Sequence, residues 1–251
     1  MSTGAKILML DIETAPAKVF AWGLYDQNIP INHVIETGHV ICWCAKWLGS
    51  KEIMSGSYYK KSATVYRQML TDIWNLLDEA DIVVTHNGNF FDLRWLNMVF
   101  LENNFKPVST FKSIDTKTEM QRAFYALSNK LDFICQKLEL GHKGSTGGFE
   151  LWIECMKFNK VFLNKMVSYC KQDVILLEKL YLKIRPFIKN HPNLNLYSNE
   201  ASSCPNCNCT VLQRKGFAYT SSNVYQRFRC TGCGKNVRGK KSVLGSKLSP
   251  V

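Results

Sequence analysis

Three short acidic segments and one set of cysteines carry the chemistry that residue type and spacing can declare. The first, Leu8-Met9-Leu10-Asp11-Ile12-Glu13-Thr14, sets two carboxylates two residues apart in an apolar run. In a strand that spacing sends Asp11 and Glu13 to one face and Leu10 and Ile12 to the other. Carboxylates side by side on a buried strand repel each other, a cost that divalent cations relieve. The second segment, His86-Asn87-Gly88-Asn89-Phe90-Phe91-Asp92, ends in an acid where a helix is due to begin. A helix N-terminus favours a carboxylate, so capping is the plain role for Asp92 and metal ligation the chemical one. The third is Tyr169-Cys170-Lys171-Gln172-Asp173, whose phenol and carboxylate, four apart, share a helix face. Finally, Cys204-Pro-Asn-Cys207 and Cys230-Thr-Gly-Cys233 form two C-x-x-C turns separated by 22 residues. Each turn holds two thiolates a tetrahedral edge apart, and two turns complete a closed four-sulfur site for one structural Zn2+.

The elements that must position these groups follow from hydrophobic periodicity. A strand is predicted over residues 6–12, with β-rich stretches at 39–48 and 52–58 that fit a meander beside it. Val65, Met69, Ile73, Leu76 and Leu77 recur at helical spacing, and 81–85 reads as a short buried strand leading into the second acidic segment. Helical spacing returns over 91–103, with Leu93, Leu96, Val99 and Phe100 inward, and Ile114 lies on another short strand. A short helix over 131–138 takes Ser128 or Asn129 as its cap, and the four glycines of 141–148 predict a mobile loop. A long amphipathic helix over 159–184, with at most one break, aligns Met166, Cys170, Val174, Leu177 and Tyr181 until Pro186 stops it. This order implies an α/β domain with a mixed sheet over residues 1–186, a linker over 187–202 and a basic zinc-ribbon domain over 203–251.

The formal charge is +12, and it is unevenly placed: residues 1–200 carry 23 Lys and Arg against 20 acids, whereas the last 51 carry nine and no acid. A cation near a phosphate releases condensed counterions, so such an end suits a polyanion. Arg214, Lys215, Arg227, Arg229, Lys235, Arg238, Lys240 and Lys241 are interleaved with Phe217, Tyr219, Tyr225 and Phe228, a mixture that suits single-stranded nucleic acid; a protein contact is the other use of a ribbon. The cysteines within the first 170 residues sit in apolar or helical contexts and read as reduced thiols, which excludes a secreted disulfide scaffold. Cys209 is left as an extra, free thiol. No signal-peptide pattern is present, and no apolar run approaches the ~18 residues that span a bilayer. A soluble, reducing, cytoplasmic setting without a membrane partner is expected.

Taken together, in this order and at these distances, the three acidic segments resemble the DnaQ-like exonuclease superfamily within the ribonuclease H-like fold, over roughly residues 6–185. The resemblance implies a mixed β-sheet flanked by helices and a two-metal 3′→5′ exonuclease that hydrolyses phosphodiester bonds; family members act on DNA and on RNA, and DNA is favoured here only weakly. It implies that Asp11, Glu13, Asp92 and Asp173 hold two Mg2+ or Mn2+ ions: Asp11 bridges both, Glu13 and Asp173 share the water-activating ion, and Asp92 serves the other. Tyrosine four residues before the last Asp marks one branch of the superfamily, and Ser168 stands where the other branch has histidine. Tyr169 would then orient the attacking water without ionising. Thr14 and Asn87 fall where family members contact the terminal nucleotide.

The expected partner is therefore nucleic acid, single-stranded or with a 3′ end. No polymerase motif is present, so a proofreading role would need a polymerase or replication partner. A structure-specific endonuclease run by the same metal centre, and a non-catalytic nucleic-acid-binding protein, stay open as alternatives; the second would be marked by a missing carboxylate, and none is missing. Asp115 and Asp132 match no ligand position and are read as caps. His142 and Lys143 could approach the scissile phosphate, but a solvated loop is the simpler reading. His33, His39 and His86 lack partners at metal-ligand spacing and are read as structural.

Overall fold

A computed structural model describes residues 4–144, 146–198 and 202–246. Residues 1–3, 145, 199–201 and 247–251, which include parts of the expected glycine-rich loop, linker and domain ends, lie outside the described residues. The chain divides into two compact units, one spanning Lys6–Leu180 and the other built from Met1–Ala5 and Tyr181–Val251.

In the first unit the elements are β1 (Ile7–Thr14), β2 (Lys18–Val19), β3 (Val34–Glu36), β4 (Val40–Trp47), β5 (Met54–Ser57), α1 (Ala63–Glu79), β6 (Ile82–Thr85), α2 (Asp92–Glu102), β7 (Lys112–Asp115), α3 (Thr116–Ala123), α4 (Leu131–Lys137), α5 (Glu150–Met156) and α6 (Lys160–Ile184). The main sheet has the order β5-β4-β1-β6-β7. The meander makes β4 antiparallel to β1 and β5, whereas helical crossovers α1 and α2 bring β6 and β7 in parallel to β1 and to each other. The fold is thus mixed α/β.

The alternation of β1 decides what each face does. Leu8, Leu10 and Ile12 enter a core with Trp43 of β4, Met69 and Ile73 of α1, and Leu96 of α2. Each such side chain contributes about 1.5–3 kcal/mol on burial. Trp43 Nε1 donates to Met69 O at 2.9 Å, so the largest ring in that core leaves no buried donor unpaired. The opposite face is covered by α6. Cys170 Sγ donates to Asp11 O at 3.4 Å and Cys44 Sγ to Val167 O at 3.6 Å, and Met166, Cys170, Val174 and Leu177 are buried. Helix α6 runs 25 residues without the break the sequence allowed.

Other departures are local. Helices α3 and α5, of eight and seven residues, were not among the expected elements. The N-cap of α4 is Lys130, without a side-chain cap; Ser128 Oγ instead accepts the Lys130 N–H at 3.3 Å, so neither Ser128 nor Asn129 caps the helix. Residues 16–37 form an excursion between β1 and β4 that contains the β2–β3 pair and is closed at its base by Ala15 N–H donating to His39 O at 2.8 Å.

In the second unit α6 gives way to a 3-10 turn at Arg185–Phe187, and a second 3-10 turn covers Leu194–Tyr197. Strands β8 (Leu212–Tyr219), β9 (Asn223–Cys230) and β10 (Asn236–Gly245) form an antiparallel sheet in the order β10-β9-β8. The described part of the expected linker carries structure: Ile188 and Leu194 are buried, and Leu194 N–H donates to Pro205 O at 2.8 Å. Isolated apolar anchors of that kind have no period to detect. Strand β10 was not expected either, because Arg238-Gly-Lys-Lys241 interrupts any alternation. Among the described residues no helix is long and apolar enough to cross a membrane.

Candidate functional site

Strand β1 and helix α6 deliver three carboxylates to one place. Asp11, Glu13 and Asp173 each offer an oxygen, and these oxygens lie within 4.8 Å of one another. Asp92 stands beside them with its carboxylate turned toward β1. The parallel pairing of β1 with β6 runs only from Ile7 to Met9, so the Ile12 N–H has no strand partner there and donates to Asp92 Oδ1 at 3.0 Å. Phe91, not Asp92, is the N-cap of α2, so the capping role read for Asp92 is absent.

Burial pushes the Asp11 carboxyl well above the usual range, and the charges of Asp92, Asp173 and Glu13 add to it. Glu13 is raised to about 7, by burial first and by Asp173 second. Asp92 also rises to about 7 through burial, against the opposing hydrogen bond from Ile12. Asp173 is raised by burial while Lys143 pulls it back. Asp11 Oδ2 and Asp173 Oδ1 are buried with no hydrogen-bond partner among the described residues. An unsatisfied buried oxygen costs about 1–3 kcal/mol, more when charged. A cluster of carboxylates that repel one another when ionised, with two buried oxygens that no described group satisfies, has the chemistry hard divalent cations require. The residues present therefore fit Mg2+ or Mn2+.

Lys143 is the residue the sequence undervalued. It was read as part of a solvated loop, yet its side chain is only 26% exposed and its ammonium forms an ion pair with Asp173. Its Nζ also donates to Tyr169 Oη at 3.1 Å and lies 5.1 Å from the tyrosine ring centroid. Burial alone would lower its pKa; Asp173 and Tyr169 outweigh burial and raise it above the ordinary lysine range. The loop is held because Lys143 N–H donates to Asp132 Oδ1 at 2.7 Å. Asp132 is thus a loop anchor as well as a first-turn residue of α4. The signal that could have found this was a lysine among glycines eleven residues after an acid, which means nothing until α4 and α6 are placed.

The segment after β6 is organised by Asp115, which lies at the end of β7. Asp115 caps α3 through Lys117 N–H at 3.0 Å and also accepts from Asn87 N–H at 2.8 Å and Asn89 N–H at 3.2 Å. Asn87 has φ +73°, a left-handed position Asn tolerates, and its Oδ1 accepts from Lys117 Nζ at 3.1 Å. Gly88 passes so close to Thr85 that a Cβ there would meet its side chain at 2.4 Å. A cavity of about 600 Å3 opens between these parts, lined in part by Asp11, His86, Asn87, Lys117, Lys143 and Tyr169. Thr14, at the end of β1 past a bulge, does not line it. His86 joins its ring nitrogens to Thr116 Oγ1 and Asn129 O, both at 2.9 Å, and burial lowers its pKa. His39 packs against Tyr58 and Tyr66, and His33 ends a 3-10 turn; neither has a ligand partner in the described groups.

The second unit carries the other donor group. The sulfurs of Cys204, Cys207, Cys230 and Cys233 lie within 4.8 Å of one another, and no disulfide joins them. The two turns are held by Asn208 N–H to Cys204 O at 2.8 Å and Gly234 N–H to Cys230 O at 3.0 Å. Burial pulls the Cys233 thiol up, but the Lys235 N–H and further hydrogen bonds bring it down to about 7. Four thiols in this arrangement fit one tetrahedral Zn2+. Cys209 stays outside the group, exposed enough to face Thr231 Oγ1 at 3.7 Å. Gly232 leaves room for it, since a Cβ there would meet the Cys209 sulfur at 3.0 Å.

Comparison with known proteins bears on the first unit. No curated protein matches the chain. Among solved structures, the family B DNA polymerase from the hyperthermophilic archaeon Pyrobaculum calidifontis is similar with a TM-score of 0.52 at 14% identity, over 73% of this chain and 25% of that one. This chain thus spans about a quarter of that polymerase, and at this identity the likeness is one of fold. A family model described as RNase_H superfamily matches residues 8–185, from β1 through α6. The chain belongs to the RNase_H superfamily.

Proposed function

We propose that the chain is a two-metal-dependent 3′→5′ exonuclease of the tyrosine-bearing DnaQ-like branch. The observation that carries this reading is the convergence of Asp11, Glu13 and Asp173 with two buried carboxylate oxygens that have no partner among the described residues. Asp11, Glu13 and Asp173 are the ligands, and Asp92 joins them once its carboxylate leaves the Ile12 N–H. Bound there, two Mg2+ or Mn2+ ions supply the positive charge that activates water and stabilises the departing 3′ oxygen. Tyr169 and Lys143 then form a positioning pair: the phenol orients the attacking water, and the ammonium holds the phenol and Asp173 in place. The cavity beside Asp11, in the size range of small-ligand sites, accepts the terminal nucleotide with Asn87 at its wall. Thr14 lies outside that lining, and its contact with the nucleotide rests on the family resemblance alone.

In this reading residues 1–186 form the exonuclease domain, 187–202 a linker and 203–251 a basic zinc ribbon. The ribbon takes one structural Zn2+ at Cys204, Cys207, Cys230 and Cys233 and assists substrate binding, with DNA preferred to RNA. Ten unpaired cysteines suit a reducing, cytoplasmic setting, and a proofreading role would be exercised on a partner polymerase. The test is digestion of 5′-labelled single-stranded DNA and RNA with Mg2+ or Mn2+, wild type against Asp11→Ala. A ladder descending by single nucleotides, absent with EDTA and in the variant, is expected. Binding without cleavage of either polymer would leave a nucleic-acid-binding protein instead.

A further inference from the structure

The register of the ribbon sheet sorts its cations, which the sequence alone could not do. Directly paired residues of an antiparallel sheet share a face, as do residues two apart on one strand. Arg229 lies opposite Gln213 and Asn236, Arg227 opposite Arg238, and Tyr225 opposite Ala218 and Ser242. Tyr225, Arg227, Arg229 and Arg238 therefore share one face. The other face carries Phe228 with Val237 and Val224 with Leu244, and among the paired cations only Arg214.

We propose that the Tyr225–Arg227–Arg229–Arg238 face is a platform for the phosphodiester backbone of a single nucleic-acid strand, and that the opposite face is not. The proposal deepens the reading that the chain acts on nucleic acid and rests on it. Like charges directly opposite one another destabilise a sheet, and Arg227 faces Arg238 in a segment that has no acid from residue 201 to the end. Nothing within that segment can neutralise them, and an anionic ligand does. The side chains are also set for one. Arg227 is exposed, and its Nε donates to Lys215 O at 2.8 Å, which fixes one edge of the guanidinium. The Arg238 guanidinium lies over the Tyr225 ring, 4.4 Å from its centroid, so cation and ring form a stacked pair to which a base can add. Arg227 and Arg229 are spaced along β9 by about 6.6 Å, two strand residues, the scale of one nucleotide step in an extended strand. A guanidinium fork matches phosphate oxygens bidentately, which a lysine would not. Carboxylates of an acidic protein segment offer the same fork, but not a regular repeat with rings between the charges.

The experiment uses the full, zinc-loaded chain. In the Asp11→Ala background, which stops turnover, the affinity for a 5′-fluorescent single-stranded oligonucleotide is measured by anisotropy over a KCl series. Replacing all three arginines (Arg227→Ala, Arg229→Ala, Arg238→Ala) is expected to weaken binding about tenfold to a hundredfold and to flatten the log K against log salt slope by about 2, from ~0.7 per phosphate on a single strand. Arg214→Ala is expected to flatten it by no more than about 0.7. An unchanged zinc content shows that the triple variant is folded, and the corresponding triple Arg→Lys variant is expected to keep most of the slope. The proposal is overturned if the triple Ala variant keeps the wild-type slope, if Arg214→Ala matches it, or if only an acidic peptide competes for this face. Hydrolysis of a small thymidine 5′-aryl phosphodiester, with Asp11 intact, separates the two readings. Loss of that activity in the wild type sinks the nuclease while the salt slopes still judge the platform.

Discussion

In the Lys6–Leu180 unit the ionisable groups that matter face inward, onto a sheet that already owns a core. From Tyr181 onward the inward groups are thiols and the charge faces out. The first unit gathers Asp11, Glu13, Asp92 and Asp173 in a region where burial raises every one of their pKa values, and Leu8, Leu10, Trp43, Met69, Ile73 and Leu96 bear that cost from the other face of the same strands. The second unit has buried Cys204 and Cys230 beneath a sheet whose cations are exposed, with few apolar residues fully covered. In the proposed reading the contrast separates two uses of a metal: an ion that a finished fold would receive, and an ion that would hold the fold together.

Removing zinc should therefore give the largest effect. Chelation, or Cys204→Ser with Cys230→Ser, forfeits a binding energy of about 10–16 kcal/mol for such sites, more than so small a core can supply. Hydrogen exchange should show β8, β9 and β10 losing protection while β1 and β6 keep theirs. Protected ribbon strands after zinc loss would mean that this unit has a sufficient core of its own, and the comparison would break.

The opposite sign is expected at the acidic cluster. Asp11→Asn removes one of the repelling charges, so the metal-free protein should melt at a higher temperature by the equivalent of about 1–2 kcal/mol, while nuclease turnover falls by about 10^3-fold or more. Adding Mg2+ should then raise the melting temperature of the wild type but not of Asp11→Asn. A variant that melts lower in the metal-free state would show that the carboxylates are mutually satisfied, contrary to the unpaired oxygens.

How much of this was legible depends on how far each signal reaches along the chain. The β1 alternation of Leu8, Leu10 and Ile12 with Asp11 and Glu13, and the buried stripe of α6, are local patterns with a strong period, and both elements appear where periodicity puts them. The C-x-x-C turns are local too. Asp92 and Asp115 were harder: which acid caps a helix and which faces the strand depends on where β6 stops pairing with β1, and nothing near either residue encodes that. Lys143 was least legible, because its role needs Asp132 from α4 and Asp173 from α6 at once. The sorting of the ribbon arginines needed β10, whose glycine and lysines conceal it.

Lys143→Ala tests whether the inward cluster relies on a cation of its own. The ammonium is the group that offsets Asp173 and holds the Tyr169 hydroxyl. Its loss should reduce turnover by about 10^2-fold with little change in KM, in the range of a lost positioning or general acid–base partner. Lys143→Arg should restore part of that activity, because a cation returns to Asp173 with altered reach. If Lys143→Ala instead raised KM alone, the lysine would be a substrate contact and not a holder of the phenol.

The smallest effect isolates burial without any metal. His191, in the second unit, accepts at Nε2 from Tyr181 Oη at 2.8 Å, and its Nδ1–H donates to Pro192 O at 2.8 Å. Burial first, then Arg185 and Lys235, hold its pKa down at about 4, whereas an unfolded chain titrates near 6.5. Burial thus drives this imidazole toward neutrality as it does the carboxylates, by moving the pKa in the opposite direction. Between those two values the unfolded state binds a proton that the folded state refuses, so the stabilisation is complete above about pH 6.5 and is lost as pH falls toward 4. The full linkage is about 3 kcal/mol, and partial exposure of the ring reduces it to about 1–2 kcal/mol. Denaturant midpoints for the second unit at about pH 7 and about pH 5 should differ by that amount in the wild type and by much less in His191→Gln, which hydrogen-bonds but does not titrate in this range. Equal pH dependence in the two proteins would mean that His191 stays solvated.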